Sequence, residues 1–262
     1  KKIWATRSTD DLSHEVFEAL EGCLSCKACS TECPMQIDIP TLRSEFYSIY
    51  FGRYFRPIRD YFWINMERLL PFMSSKVARL VPTTFIASLV GIVDAPTPTR
   101  KLSLQSYTPS QAIQLRASVV ILQDTFTTYF RHEVIVALRR ILTHLGHSVA
   151  IIECRPNGKA MHVRGKLSTF DSLAQKNTRW LTPLHQANIP IVGIDPAATL
   201  LWREEYKKCT GVEIPVLLPQ EFLLEQELTS ITCKGTWELL PHCIEYAVAR
   251  QSQNQWKQIF DR

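Results

Sequence analysis

No stretch of this sequence reaches the ~18 consecutive apolar residues that a membrane-spanning helix needs. The closest, Leu80 to Val93, is interrupted by Pro82, Thr83 and Thr84. A strong charge of either sign is also missing. The formal net charge of +5 is not the signature of a dedicated nucleic-acid binder, which would carry a dense basic cluster. There is no charged-then-apolar leader after Lys1, and Lys-Lys-Ile-Trp without a methionine reads as the interior of a longer chain. Internal repeats and low-complexity tracts are absent. Glycine is scarce, at nine residues in 262, and no nucleotide-binding glycine motif is present. No pair of residues stands out as an acid–base couple. What remains is an ordinary globular composition, 45% hydrophobic, 21% charged and 10% aromatic, long enough for one large domain or two ordinary ones.

Cysteine is the exception. Four of the eight cysteines fall in the run Cys-Leu-Ser-Cys-Lys-Ala-Cys-Ser-Thr-Glu-Cys-Pro, from Cys23 to Pro34. Three of them, Cys23, Cys26 and Cys29, are spaced three apart, so one tight loop can turn their thiolates to one side. Cys33 and Pro34 complete the C-x2-C-x2-C-x3-C-P pattern of 4Fe–4S ferredoxins. A structural zinc site takes two separated pairs more often, and three ligands this close crowd its tetrahedron. Disulfides between neighbours at such spacing are strained. The expected metal ligands are therefore Cys23, Cys26, Cys29 and Cys33 around a 4Fe–4S cluster, with zinc as the alternative. One copy of the motif means that either Cys33 closes a single cluster or a partner motif lies elsewhere. The other cysteines, Cys154, Cys209, Cys233 and Cys243, lack the spacing of a disulfide framework, which points to a reducing, cytoplasmic setting. Of these, Cys154, Cys209 and Cys233 read as buried small hydrophobes.

The organisation changes along the chain. Ser8 to Asp11 reads as a helix start, with Leu12, Val16, Phe17 and Leu20 on one face and Gly22 as the stop. Pro40 fits the first turn of a second helix. Nine aromatics follow between Phe46 and Trp63, and apolar helical sequence continues to residue 92, broken at Pro71 and Pro82. Aromatics at this spacing read as core. The alternative is a basic-aromatic surface for a membrane or a partner, since nine Lys/Arg stand against four Asp/Glu between Thr41 and Lys101. Residues 94–111 are rich in Pro, Ser, Thr and Gln and read as a linker. Beyond them, short β-branched runs at 118–122, 148–152, 189–194 and 214–218 alternate with helical sequence, including His132 to Leu145, which is the signature of a parallel α/β sheet. The expected fold is a small all-α, ferredoxin-like iron–sulfur domain at 1–95, a linker at 96–116, and a parallel α/β domain at 117–262.

Gly-Cys-Leu-Ser-Cys-Lys-Ala-Cys-Ser-Thr-Glu-Cys-Pro, followed by residues 38–62, resembles the C-terminal part of bacterial FAD-linked oxidases of the D-2-hydroxyglutarate and D-lactate dehydrogenase type. The likeness continues through residues 124–130, 155–167, 193–197, 202–206 and 239–243. It implies an upstream FAD-binding domain or subunit, and electrons leaving reduced FAD toward a quinone or another carrier. The family's flavin and substrate domains have no counterpart in these residues. Its Cys-Cys-Gly elements are missing as well: Glu153-Cys154-Arg155 stands where the wider group has one, and the α/β region resembles a truncated Cys-Cys-Gly-type domain. Charge, hydropathy and cysteine usage together lead us to expect no nucleic-acid partner, no transmembrane segment, and a cytoplasmic protein with peripheral contact at the inner face of the membrane open to it.

Ligands of parallel sheets sit beyond the carboxyl ends of the strands. Asp124, Arg155, Lys159, His162, Arg164, Asp195, His242 and Cys243 fall there in this reading, and His162, Asp195, His242 and Cys243 are the candidate pocket. The bland reading is that Pro156-Asn157-Gly158 is a turn, Asp195 a helix cap and His242 a structural histidine. Two functions follow: an electron-transfer part of a flavin dehydrogenase, inert alone because the flavin carries the hydride chemistry, or a non-redox zinc scaffold.

Overall fold

The computed structural model describes residues 11–74, 104–228, 236 and 238–261. Cys233, the run from Leu80 to Val93 and linker residues 96–103 lie outside them. Four helices come first: α1 (Ser13–Glu21), α2 (Ala28–Glu32), α3 (Ile39–Arg53) and α4 (Ile58–Met73). α1 begins slightly later than the polar run suggests, because the Asp11 carboxylate accepts the Ser13 N–H at 3.0 Å. α3 starts where Pro40 presets the backbone and the Asp38 carboxylate accepts the Thr41 N–H at 3.1 Å. α1 and α3 meet through rings: Phe17 stacks on Tyr50 at 4.7 Å and sits 5.1 Å from Tyr47. Each such pair adds roughly 0.5–1.5 kcal/mol beyond its buried area. The aromatic run is only partly core, however. Phe46, Tyr47 and Tyr50 are buried, whereas Phe55 and Tyr61 are exposed, because the chain turns at Tyr54 to Pro57 and the helical phase restarts.

The remainder runs α5 (Pro109–Gln114), β1 (Val119–Leu122), α6 (Thr125–Phe130), α7 (His132–His144), β2 (Val149–Ile152), α8 (Lys159–Val163), α9 (Leu167–Gln186), β3 (Ile191–Gly193), α10 (Pro196–Leu201), a π turn (Trp202–Tyr206), α11 (Lys207–Thr210), β4 (Val216–Leu217), α12 (Pro219–Leu224), α13 (Cys243–Val248) and α14 (Ser252–Phe260). All four strands are parallel, in the order β2-β1-β3-β4. Helices and a parallel sheet together match the expected class, and each strand lies inside its predicted run. β1 is buried on both faces, as strands covered by crossover helices must be. Successive residues part to opposite cores. Val120 and Leu122 join Phe170, Ala174 and Leu181 of α9, while Val119 and Ile121 join Ile135, Leu138 and Leu142 of α7. Among the described residues, no helix is long and apolar enough to cross a membrane.

The first four helices are pressed onto this sheet domain at several points. Gly165, at φ +70°, follows α8, and a Cβ there would lie 2.5 Å from the Ser48 nitrogen of α3. Only glycine permits so close a backbone approach. Arg56 donates to the Arg164 carbonyl at 2.7 Å, and Asp60 lies 3.5 Å from Arg56 and 3.3 Å from Arg164. These links bring the cysteine loop and the strand ends to the same side of the molecule.

Candidate functional site

The cysteine loop lies between α1 and α3. Its turns use three left-handed residues, Ser25 (φ 57°), Lys27 (φ 61°) and Gln36 (φ 50°), which let a short segment fold back on itself. Arg43 of α3, itself buried, donates to the Cys23 carbonyl and to the Ser25 hydroxyl, the latter at 2.6 Å. Lys27 points away into the α/β domain, where its ammonium lies 2.8 Å from Glu205 and 3.3 Å from Glu204 of the π turn. Burial pulls the Lys27 pKa down, but the Glu205 and Glu204 carboxylates outweigh it and hold the ammonium above its ordinary value. The loop is thus pinned at its base from both sides.

Cys23, Cys26, Cys29 and Cys33 are free thiols, each partly exposed. Four unpaired thiols within eleven residues, Cys29 among them on α2, are the donor chemistry of iron–sulfur or zinc ligation, so the residues present suit such a group. Among the described residues, no three His, Cys, Asp or Glu side chains converge as a metal-holding group. Ligation at this loop therefore requires the thiols to turn toward one another.

The second feature lies where β1 and β3 diverge, because the connection after β1 leads to one side of the sheet and that after β3 to the other. Such a divergence opens a crevice beyond the carboxyl ends of the strands. The loop Arg155 to Gly158 forms one wall and is held rigidly. The Tyr206 hydroxyl donates to the Asn157 carbonyl at 2.7 Å, and Asn177 donates to the Pro156 carbonyl and to Tyr206 at 2.9 Å each. The cleft, about 300 Å³, is lined by Trp63 and Glu67 of α4, by Phe126 and Asn157, by Lys159, Val163 and Arg164, and by Asp195. Lys159, Val163 and Arg164 also line a second cleft of about 400 Å³ that reaches Cys23, Ser25 and Arg43. The two openings share one wall.

Glu67 is the residue that sequence reasoning misses. Its carboxylate accepts the Gly158 N–H at 2.8 Å and is buried, which pushes its pKa up to about 7. The signal was present: Asp60, Ile64, Glu67 and Leu70 form the buried face of α4, so an acid stands at a core position. Asp124 accepts the Thr127 N–H at 2.8 Å, while its second oxygen is buried without a hydrogen-bond partner. Burial pushes this carboxyl up too.

Of the expected pocket residues, Asp195 lines the cleft and also caps α10, accepting the Ala198 N–H at 2.6 Å. His162 lies at the back of the same wall, edge-on to Phe170 at 4.9 Å and bordering a small void with Lys27 and Glu205; burial lowers its pKa. His242 caps α13, its Nδ1 accepting the Ile244 N–H at 3.3 Å. Cys243 is exposed, 4.0 Å from that nitrogen. Neither residue lines the cleft. Arg155 lies over the Trp180 ring at 4.3 Å. Cys154 and Cys209 are partly buried, and Cys209 packs against the core of the sheet domain. Cys209 donates to Asp171 at 3.1 Å, and burial raises its thiol to about 12 and that of Cys154 to about 11.

No protein-family model and no solved structure matches the chain. Curated proteins do. The chain is 35% identical to the D-2-hydroxyglutarate dehydrogenase of Pseudomonas putida over 279 residues, 97% of its own length but 27% of that protein. It is 33% identical to the namesake from Pantoea ananatis, covering 99% of this chain and 28% of the relative. With the Escherichia coli enzyme the identity is 34%, over 98% and 28%. From the cysteine loop to the last helix, then, the chain is similar to a segment that makes up little more than a quarter of D-2-hydroxyglutarate dehydrogenases.

Proposed function

We propose that this chain is the iron–sulfur, electron-exit part of an FAD-dependent D-2-hydroxyacid dehydrogenase of the D-2-hydroxyglutarate or D-lactate type. The observation that carries this is the C-x2-C-x2-C-x3-C-P run with all four thiols free, inside a segment similar to D-2-hydroxyglutarate dehydrogenases. Oxidation of a 2-hydroxy acid releases a hydride, which suits a flavin. A 4Fe–4S group supplies single-electron transfer from reduced FAD toward a quinone or a protein carrier. The flavin would belong to a domain or subunit outside these residues, the division of the chain into a 1–95 ferredoxin-like module and a 117–262 α/β module being part of the same reading. A cytoplasmic setting, with peripheral membrane contact for quinone access, fits it.

The residues have separable roles in this reading. Cys23, Cys26, Cys29 and Cys33 are the thiolate ligands. Arg43 holds the loop through the Cys23 carbonyl and the Ser25 hydroxyl, and Lys27 anchors it to Glu204 and Glu205.

The test uses full-length protein, purified anaerobically, with Cys26→Ser. Iron affinity should fall by about tenfold or more. Substrate should still bleach the flavin in this variant, while transfer to the natural acceptor is lost. Unchanged iron content, or blocked flavin reduction with intact transfer, overturns the reading. One zinc per chain and a colourless protein would instead establish the zinc scaffold.

A further inference from the structure

We propose that the cleft between the carboxyl ends of β1 and β3 binds a small organic carboxylate, with the anion on Lys159 and Arg164 and the apolar body between Trp63 and Phe126. This goes beyond the electron-exit reading and stands whether or not that reading holds.

Lys159 is the starting point. Its ammonium donates to the Ala197 carbonyl at 3.1 Å, and no carboxylate forms an ion pair with it among the described residues. Burial pushes its pKa down, against the pull of Glu205 and Asp195. A buried ammonium whose hydrogen bond goes to a neutral carbonyl, with Glu205 and Asp195 near but not paired with it, is an arrangement that an incoming anion would relieve. Arg164 lines the same cleft, its guanidinium resting on Asp60 at 3.3 Å with one-third of the side chain exposed. Two cations therefore border one opening.

The rest of the lining limits the ligand. Trp63, Phe126, Ala160, Val163 and Ala197 make most of the wall apolar, which favours a carboxylate carrying a ring or a short hydrocarbon over a bare inorganic anion. At about 300 Å³ the cleft lies at the small end of ligand pockets. Asp195 supplies one fixed negative charge, partly engaged with the Ala198 N–H, and so disfavours dianions.

Glu67 adds a pH dependence. The groups that face it are the Gly158 and Asn157 N–H donors, Asp124 and Arg68, with Cys154 and Tyr206 close enough to sense its charge. Lys159, Arg164 and Asp195 line the same cleft. Below its pKa of about 7 the carboxyl is neutral, and an incoming anion meets Lys159 and Arg164, opposed by Asp195 and by the Asp60 partner of Arg164. Above it, a further negative charge opposes binding. Deprotonation of Lys159 at higher pH acts in the same direction.

The test is calorimetric titration of the full 262-residue chain with benzoate and with benzamide, its neutral counterpart, at pH 6 and pH 8. Benzoate should bind at least about tenfold more tightly than benzamide at pH 6, the worth of one charge-assisted contact. That advantage should shrink at pH 8. Lys159→Met, and separately Arg164→Met, should lower benzoate affinity toward the benzamide value, with unchanged circular dichroism confirming the fold. Equal affinity for the two probes, no binding of either, or benzoate binding unaffected by Lys159→Met overturns the proposal. Iron content, which decides the electron-exit reading, is measured separately and is unaffected by any of these outcomes.

Discussion

At the scale of single residues, buried charge and backbone space set the largest effects. Glu67 has a folded-state pKa of about 7 against an ordinary 4.5. The folded protein thus holds its proton over a range where the unfolded chain has lost it. Stability must fall as pH rises through that window, by up to about 3 kcal/mol for a shift of this size. Glu67→Gln cannot ionise, so its stability relative to wild type should rise from about pH 5 and level off above about pH 7 in denaturant titrations. A difference that stays flat with pH would show that Glu67 is not perturbed. Gly165 and Gly22 make a second contrast. Gly165→Ala combines a positive φ with a contact against the α3 backbone and should cost roughly 2 kcal/mol or more. Gly22→Ala meets nothing within 4 Å and should shift stability by less than about 1 kcal/mol.

At the scale of elements, the cysteine loop and the π turn act as one unit through Lys27. Lys27 and Glu205 are both buried, at 4% and 6% side-chain exposure. Lys27→Met would leave Glu205 buried without its cation, at a cost of about 3–5 kcal/mol. Lys27→Met combined with Glu205→Gln should recover much of that loss, and additive losses in the double-mutant cycle would argue against the pairing. This link also shows where sequence reading stops. The strands were legible because runs such as Val119 to Leu122 have no other stable use than a sheet covered on both faces. The helix start at Pro40 and the cap at Asp195 were legible because their signals are local. Lys27 sat in plain view inside the cysteine motif, but Glu204, beside Glu205 on the π turn, lies 177 positions away, and no local pattern announces such a contact. The aromatic run misled for the opposite reason: one periodicity was read across the turn at Tyr54 to Pro57, where it resets. The cleft was legible only as a sheet edge. Asp195 was found there, whereas Glu67 and Trp63 come from a helix that sequence assigned to the other domain.

At the scale of the whole molecule, those cross-links make the helical layer and the sheet domain interdependent. Arg56, Asp60 and Glu67 on one side meet Arg164 and Gly158 on the other. Unfolding the first four helices alone would expose Ile64, which belongs to the core cluster of the sheet domain. A single calorimetric transition is the expected result, and two resolved transitions would show that the halves unfold separately. The burial of Lys27 has one more consequence, which concerns proteases. Trypsin needs a lysine or arginine side chain to swing free and enter its specificity pocket. Arg53 and Arg116 are exposed and open to it, whereas Lys27 is held inside the protein although it sits in a loop. The bond after Lys27 should therefore resist brief digestion for as long as the loop stays docked on the π turn. Its rate of cutting becomes a clock for undocking, read by mass spectrometry without any probe attached to the cysteines.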